Sequence, residues 1–225
     1  MLRKYLFAIA FLLLALACNK GNESGGRIIS IDEPSRNLGY IGNYQVIDTV
    51  INDEKVVDTI YHTIGEFSLI DQDSNIVTKE QMDGKVVVAD FFFTTCPSIC
   101  PTMAAQMLRV YEKYNGRENF QILSHSIDPY NDSVPALKDY ANKLGVENDK
   151  WLFMTGDLEE IFRLAEKQYM ITAYQDPQAP GGFAHSGAFV LVDQKGRPRG
   201  MYDGTKKEDV DRLMNDIDKL LTNSK

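Results

Sequence analysis

Residues 86–93 read Val-Val-Val-Ala-Asp-Phe-Phe-Phe, apolar at every position except Asp90. A strand with one wet face alternates, so a run this continuous predicts a central strand covered on both sides. Residues 120–127 and 151–154 predict further strands, and residues 188–193 and 199–202 predict two more around the turn Gln194-Lys195-Gly196. Elsewhere the apolar spacing changes to three and four. Met103, Met107, Val110 and Tyr114 make one stripe of a helix over residues 102–114. Helices are also predicted over residues 134–144, stopped by Gly145, over 158–169 and over 208–221. Strands alternating with helices predict an α/β fold, a central mixed sheet flanked by helices. Upstream, Val46-Ile47-Asp48-Thr49-Val50 is echoed by Val56-Val57-Asp58-Thr59-Ile60, with Asn52-Asp53-Glu54-Lys55 between them. This predicts an N-terminal β-hairpin extension over residues 46–61, a wing or edge cover for the main domain. Residues 66–70 predict a short strand and 71–75 a turn. Asp71, Asp73 and Asn75 imitate the start of a calcium loop, but Ile76 and Met82 stand where that loop needs glycine and glutamate.

The first residues carry an address. Arg3 and Lys4 precede an uncharged apolar run over residues 5–16, short of the roughly 20 residues a membrane-spanning helix needs. Ala15 and Ala17 flank Leu16, and Cys18 follows at once. The pattern predicts an export signal over residues 1–17. A cysteine placed there resembles a bacterial lipobox, which implies cleavage before Cys18 and acylation of its thiol. Leu16 sits one position later than that motif prefers. Residues 18–36, polar and glycine-rich after Cys18, then read as a lipid-anchored tether holding a domain over residues 37–225 away from the membrane. The expected location is the cell envelope, facing the periplasm, where neighbouring thiols can oxidise.

The length of 225 residues is long for one domain and short for two, and a 44% hydrophobic content supplies a sizeable core without disulfide staples. The formal net charge of −8 argues against a nucleic-acid partner. Only three cysteines and three histidines are present, so thiol or metal chemistry must rest on few residues.

Cys96 and Cys100 lie just past the buried strand, where open α/β sheets place reactive groups. Pro101 suits the first turn of the following helix, so Cys100 falls at or beside a helix start, where thiolate is favoured over thiol. The turn keeps the two sulfurs close enough to form a redox-active disulfide or to grip one metal ion. A purely structural bridge this local would constrain the unfolded chain little. Two thiolates select a soft metal such as Cu(I), and one imidazole would complete a trigonal site that also tolerates Cu(II). His185, in a loop before the strand at Ala188, is the best-placed candidate. Loop histidines are more often merely solvated; His125 belongs to a strand, and His62 lies at the end of the hairpin. The helical spacing of Met103 and Met107 favours core packing over a copper track.

The segment Val88-Ala89-Asp90-Phe91-Phe92-Phe93-Thr94-Thr95-Cys96-Pro97-Ser98-Ile99-Cys100-Pro101 resembles the core motif of the Sco/SenC family. So do Ser126-Ile127-Asp128-Pro129, Trp151-Leu152-Phe153-Met154-Thr155-Gly156, and Ala184-His185-Ser186 ahead of Phe189-Val190-Leu191-Val192-Asp193. The stretch Asn37 to Asn43 is similar to the family's start. The resemblance implies a thioredoxin-like fold, a membrane-tethered copper protein and a part in cytochrome c oxidase assembly. It implies Cys96, Cys100 and His185 as copper ligands, with Asp128 supporting the site by charge or hydrogen bonding; the other reading of Asp128 is a turn residue before Pro129. The implied partners are the oxidase's copper-bearing subunit and a periplasmic thiol reductant. A rival use of the same pair is thiol–disulfide exchange on exported proteins, which needs both thiols and not His185.

Overall fold

The structure, a computed structural model, describes residues 38–51 and 54–222, with side chains described outside 49–56. The expected signal segment, Cys18 and the tether lie outside the described residues, as do Asn52 and Asp53 of the expected hairpin turn. No described helix is long and apolar enough to cross a membrane.

The chain opens with β1 (Tyr44–Ile51) and β2 (Glu54–Tyr61), antiparallel partners in a two-stranded sheet of their own. Then follow β3 (Ser68–Asp71), β4 (Ile76–Thr78), a short 3-10 turn (Lys79–Met82), β5 (Val86–Phe92) and α1 (Cys100–Tyr114). The order continues with β6 (Phe120–Ser126), α2 (Val134–Leu144), β7 (Trp151–Thr155) and α3 (Leu158–Arg163), which widens into a π turn (Leu164–Gln168). A small ribbon, β8 (Ala173–Gln175) and β9 (Phe183–His185), precedes β10 (Ala188–Val192), β11 (Pro198–Asp203) and α4 (Lys207–Thr222).

Seven strands form the main sheet in the order β11-β10-β5-β6-β7-β3-β4. The pairs β5–β6 and β6–β7 are parallel and the others antiparallel, so the sheet is mixed, as the sequence predicts. Every residue of β5, β6 and β7 is buried, which is why their sequences do not alternate. Successive side chains of a strand still point to opposite faces. On one face Tyr111 of α1 meets Trp151, and Tyr140 of α2 meets Phe92 and Phe153. On the other, Phe91, His125 and Tyr169 pack together. Met103 and Met107 are fully buried core residues, in keeping with their helical spacing.

Three departures from expectation have local causes. The helix expected over residues 158–169 keeps α-helical bonding only to Arg163; the wider turn after it seats Tyr169 in the core, and Met170 then takes a left-handed φ of 55°. The strands β4, β8 and β9 have three residues each, too few for a periodicity to register. Among the described residues neither hairpin strand pairs with the main sheet, and the hydrogen bonds that tie it down lie at its base: the Ile41 N–H donates to the Pro198 carbonyl, and His62 Nε2 donates to the Gln168 carbonyl at 2.8 Å. Tyr40 completes the clasp, stacked on Tyr61 at 3.8 Å and covered by the guanidinium groups of Arg199 and Arg197 at 4.2 and 4.8 Å. Buried Asp193 binds both arginines; burial pushes its carboxyl up, but those bonds and the backbone N–H groups of Arg197 and Lys195 hold it below the usual range.

Candidate metal centre

The site is assembled from two pieces of chain. The buried strand β5 ends at Phe92, and the chain turns through Thr94 and Thr95 into the cysteine loop. α1 then starts at Cys100 with Pro101 in its first turn, where the missing N–H leaves no bond unmade. The imidazole arrives from elsewhere, on the last residue of β9, whose register sets Ala173 opposite His185. Gly181 lets the ribbon close. Its φ is +83°, and a Cβ there would come within 2.6 Å of the Phe93 ring, so only glycine lets this loop lie against the base of the cysteine turn.

The ligand atoms of Cys96, Cys100 and His185 all lie within 4.8 Å of one another. Both cysteines are buried free thiols, and His185 is half-buried. His185 Nδ1 donates to the Ser186 carbonyl at 3.2 Å, which fixes the proton on that nitrogen and leaves Nε2 bare, 3.5 Å from Cys100 Sγ. The imidazole is thereby turned with its lone pair toward the sulfurs. Burial pushes the His185 pKa down, only partly offset by the bond to Ser186, and so favours the neutral ring a metal needs.

The two thiols differ. Burial raises the Cys96 pKa, but hydrogen bonds from Cys100 and Ser98 outweigh it and leave the thiol below its ordinary value. Burial pushes Cys100 strongly up, and its bond to Cys96 adds to the shift. This corrects the expectation from the helix start. Cys100 does sit there, but desolvation outweighs the helix's partial charge, and the more readily formed thiolate is Cys96. Two thiols and one bare imidazole nitrogen at this spacing fit a soft or borderline metal ion in low coordination.

His62 and His125 are not part of the cluster. His62 is tied to Gln168, and His125 is fully buried with Nδ1 on the Asp90 carbonyl and no partner at Nε2 among the described residues. Asp128 is buried, and its hydrogen bonds belong to its own turn: its carboxylate accepts from Asn131 Nδ2, and its carbonyl from the N–H groups of Asn131 and Asp132. The carboxylate that reaches the cysteine turn is Asp132, four residues on. It accepts from the Thr94 N–H at 3.0 Å, from the Thr94 hydroxyl and from the Ser126 hydroxyl. It therefore ties the chain just past the end of β5, two residues before Cys96, to the end of β6. Sequence reasoning passes over Asp132 because one acid in a turn carries no spacing signal. Replacing Asp132 with alanine strands three donors, the buried Ser126 hydroxyl and the half-buried Thr94 N–H and hydroxyl, at a cost of about 2 kcal/mol. A drop in melting temperature of roughly 6 °C should follow, measurable by calorimetry on the metal-free protein.

A sheet of this order with a dithiol at its central strand–helix junction and an imidazole brought alongside defines a thioredoxin-like protein built to hold a metal ion or exchange disulfides. The comparisons narrow this class. The SCO1/SenC family model matches residues 58–222. The chain is 30% identical over 166 residues to the SCO1 protein homolog of Bacillus subtilis, covering 73% of this chain and 86% of that one. Among solved structures, BsSco, described as a member of the Sco family of cytochrome c oxidase assembly proteins with a disulfide switch, is 30% identical with a TM-score of 0.63, covering 72% of this chain and 95% of that one. Yeast Sco1 with copper bound is 27% identical with a TM-score of 0.54, covering 70% and 89%. The chain belongs to the SCO1/SenC family.

Proposed function

We propose that this protein binds copper through Cys96, Cys100 and His185 and delivers it to the binuclear copper site of a cytochrome c oxidase subunit during assembly of the respiratory complex. The observation that carries this reading is the convergence of two thiols and a bare imidazole nitrogen within 4.8 Å, from segments 85 residues apart. The oxidase as destination is supported by the Sco relatives described as assembly proteins. In this reading the signal over residues 1–17 exports the chain, the lipid at Cys18 anchors it to a membrane facing the periplasm, and a thiol reductant keeps the pair open. Copper is cargo. Three ligands leave a coordination position where an incoming cysteine or histidine of the acceptor can bind before Cys96 and Cys100 let go, so no free ion is released. Binding displaces thiol protons, so affinity rises with pH.

The unequal thiols favour a second reading, thiol–disulfide exchange. Cys96, the better thiolate, would attack a disulfide of the acceptor, and Cys100 would resolve the mixed disulfide. One set of variants separates the two readings. Copper content and insulin reduction are measured for wild type, Cys96→Ser, Cys100→Ser and His185→Ala. Loss of copper in all three variants, with no reductase activity in the wild type, supports delivery. Reductase activity that survives His185→Ala, in a protein that retains copper no better than either serine variant, supports exchange. Full copper content in a serine variant overturns the proposed ligand set.

A further inference from the structure

The hairpin β1–β2 has no residue in the metal cluster, yet it carries four of the eight exposed large hydrophobic side chains among the described residues. Val46 and Ile47 are 49% and 42% exposed, Val57 and Ile60 64% and 51%. In each strand the two lie on opposite faces, Val46 against Ile47 and Val57 against Ile60. Among the described residues neither long edge pairs with a further strand. An isolated two-stranded sheet is marginal in water, and exposed edges of β-branched residues invite pairing. The clasp of Tyr40, Tyr61 and Arg199 holds the hairpin at its base.

What fits such an edge is written in the hairpin itself. β1 and β2 repeat one another with an offset of ten residues, Val46-Ile47-Asp48-Thr49-Val50 against Val56-Val57-Asp58-Thr59-Ile60. The hairpin register sets Val46 opposite Thr59, Ile47 opposite Asp58, and Thr49 opposite Val56. A β2 strand meeting a second β2 antiparallel, with Val56 opposite Thr59 and Val57 opposite Asp58 of the other copy, recreates those pairs nearly residue for residue. A strand that already pairs with its own near-copy is suited to pair with itself. The two-fold axis would fall between Val57 and Asp58, and each copy contributes the same patch, as an isologous interface requires.

We infer that the outer edge of β2 is a self-association surface whose occupant is a second copy of this chain, joined as a four-stranded sheet β1-β2-β2-β1. The β2 edge is assigned in preference to β1 because Val57 and Ile60 are its more exposed side chains. The contact is small, so the dimer is a reversible one, favoured where chains are concentrated on one surface. It leaves the cysteine loop and the β8–β9 ribbon free, since neither pairs with the hairpin.

The test is sedimentation equilibrium of the full chain in a nonionic detergent, wild type against Ile60→Lys. Wild type is expected to show a monomer–dimer equilibrium in the micromolar range, and the variant one at least about ten-fold weaker, since in this register position 60 falls opposite Lys55 of the other copy and like charges then oppose each other in both halves of the two-fold. Ile60 is exposed and lies opposite uncharged Gln45 in its own hairpin, so far-UV circular dichroism and copper content should be unchanged, which shows that the variant is folded. A wild type monomeric throughout the micromolar range overturns the inference, and so does a dimer of equal strength in the variant. Docking of another protein's strand on this edge would give the first of those results.

Discussion

Replacing His185 with alanine lowers copper affinity by roughly 100-fold or more while leaving the fold intact. Loss of a residue that merely orients a ligand already costs 10- to 100-fold, and His185 would be a ligand itself. The fold survives because β8 and β9 pair only with each other among the described residues, and the ring's hydrogen bonds are to its own neighbour's carbonyl and to the Cys100 sulfur of the site itself. Competition against a calibrated copper chelator, with calorimetric melting on the same samples, measures both quantities. Equal affinity in the variant and the wild type would remove His185 from the site. Lost affinity with a much lowered melting temperature would instead assign it a structural part.

The second large effect concerns two buried groups on adjacent strands. Burial pushes the Asp90 carboxyl up to about 7, against the opposing bond from the Ser124 hydroxyl. Burial pushes the His125 ring down to about 4, against the Asp90 and Leu123 carbonyls. The signs are opposite. Asp90's raised pKa gives a stabilising contribution that is full below the unfolded value near 4 and is lost as pH rises through about 7. His125's depressed pKa gives one that is full above the unfolded value near 6.5 and is lost as pH falls through about 4. The two are on the order of 4 and 3 kcal/mol and nearly cancel across the window they share. Asp90→Asn leaves His125 unopposed, so stability should climb from pH 4 to 6.5. His125→Phe leaves Asp90 unopposed, so stability should fall over the same range. Urea unfolding at half-unit pH steps compares the slopes; parallel curves for wild type and both variants would refute the pairing.

Much of this was readable from the residues. The continuous apolar runs of β5 and β6 announced strands covered on both faces, and the four-residue spacing of the cysteines beside Pro101 announced a dithiol at a helix start. His185 could be nominated as the third ligand because so few histidines compete. What stayed hidden depends on tertiary position. The direction of the Cys100 shift is set by how deeply the helix start is buried, which no local pattern encodes. Asp132 reaches Thr94 across two strand ends, and Asp128, the acid in the more conspicuous motif, turns out to bond within its own turn. The ribbon that delivers His185 is built from strands of three residues, and its closure depends on Gly181 meeting a phenylalanine far away in the sequence.

That ribbon has an evolutionary consequence. Its strands pair only with each other among the described residues, so the third ligand at His185 rides on backbone bonds separate from those of the sheet that carries the sulfurs. One of the three ligand positions is therefore inherited on its own short piece of chain, as long as Gly181 and the buried Phe183 keep that piece seated. Changing the residue at position 185 between relatives would be a direct way to retune ion choice while the two sulfurs stay as they are.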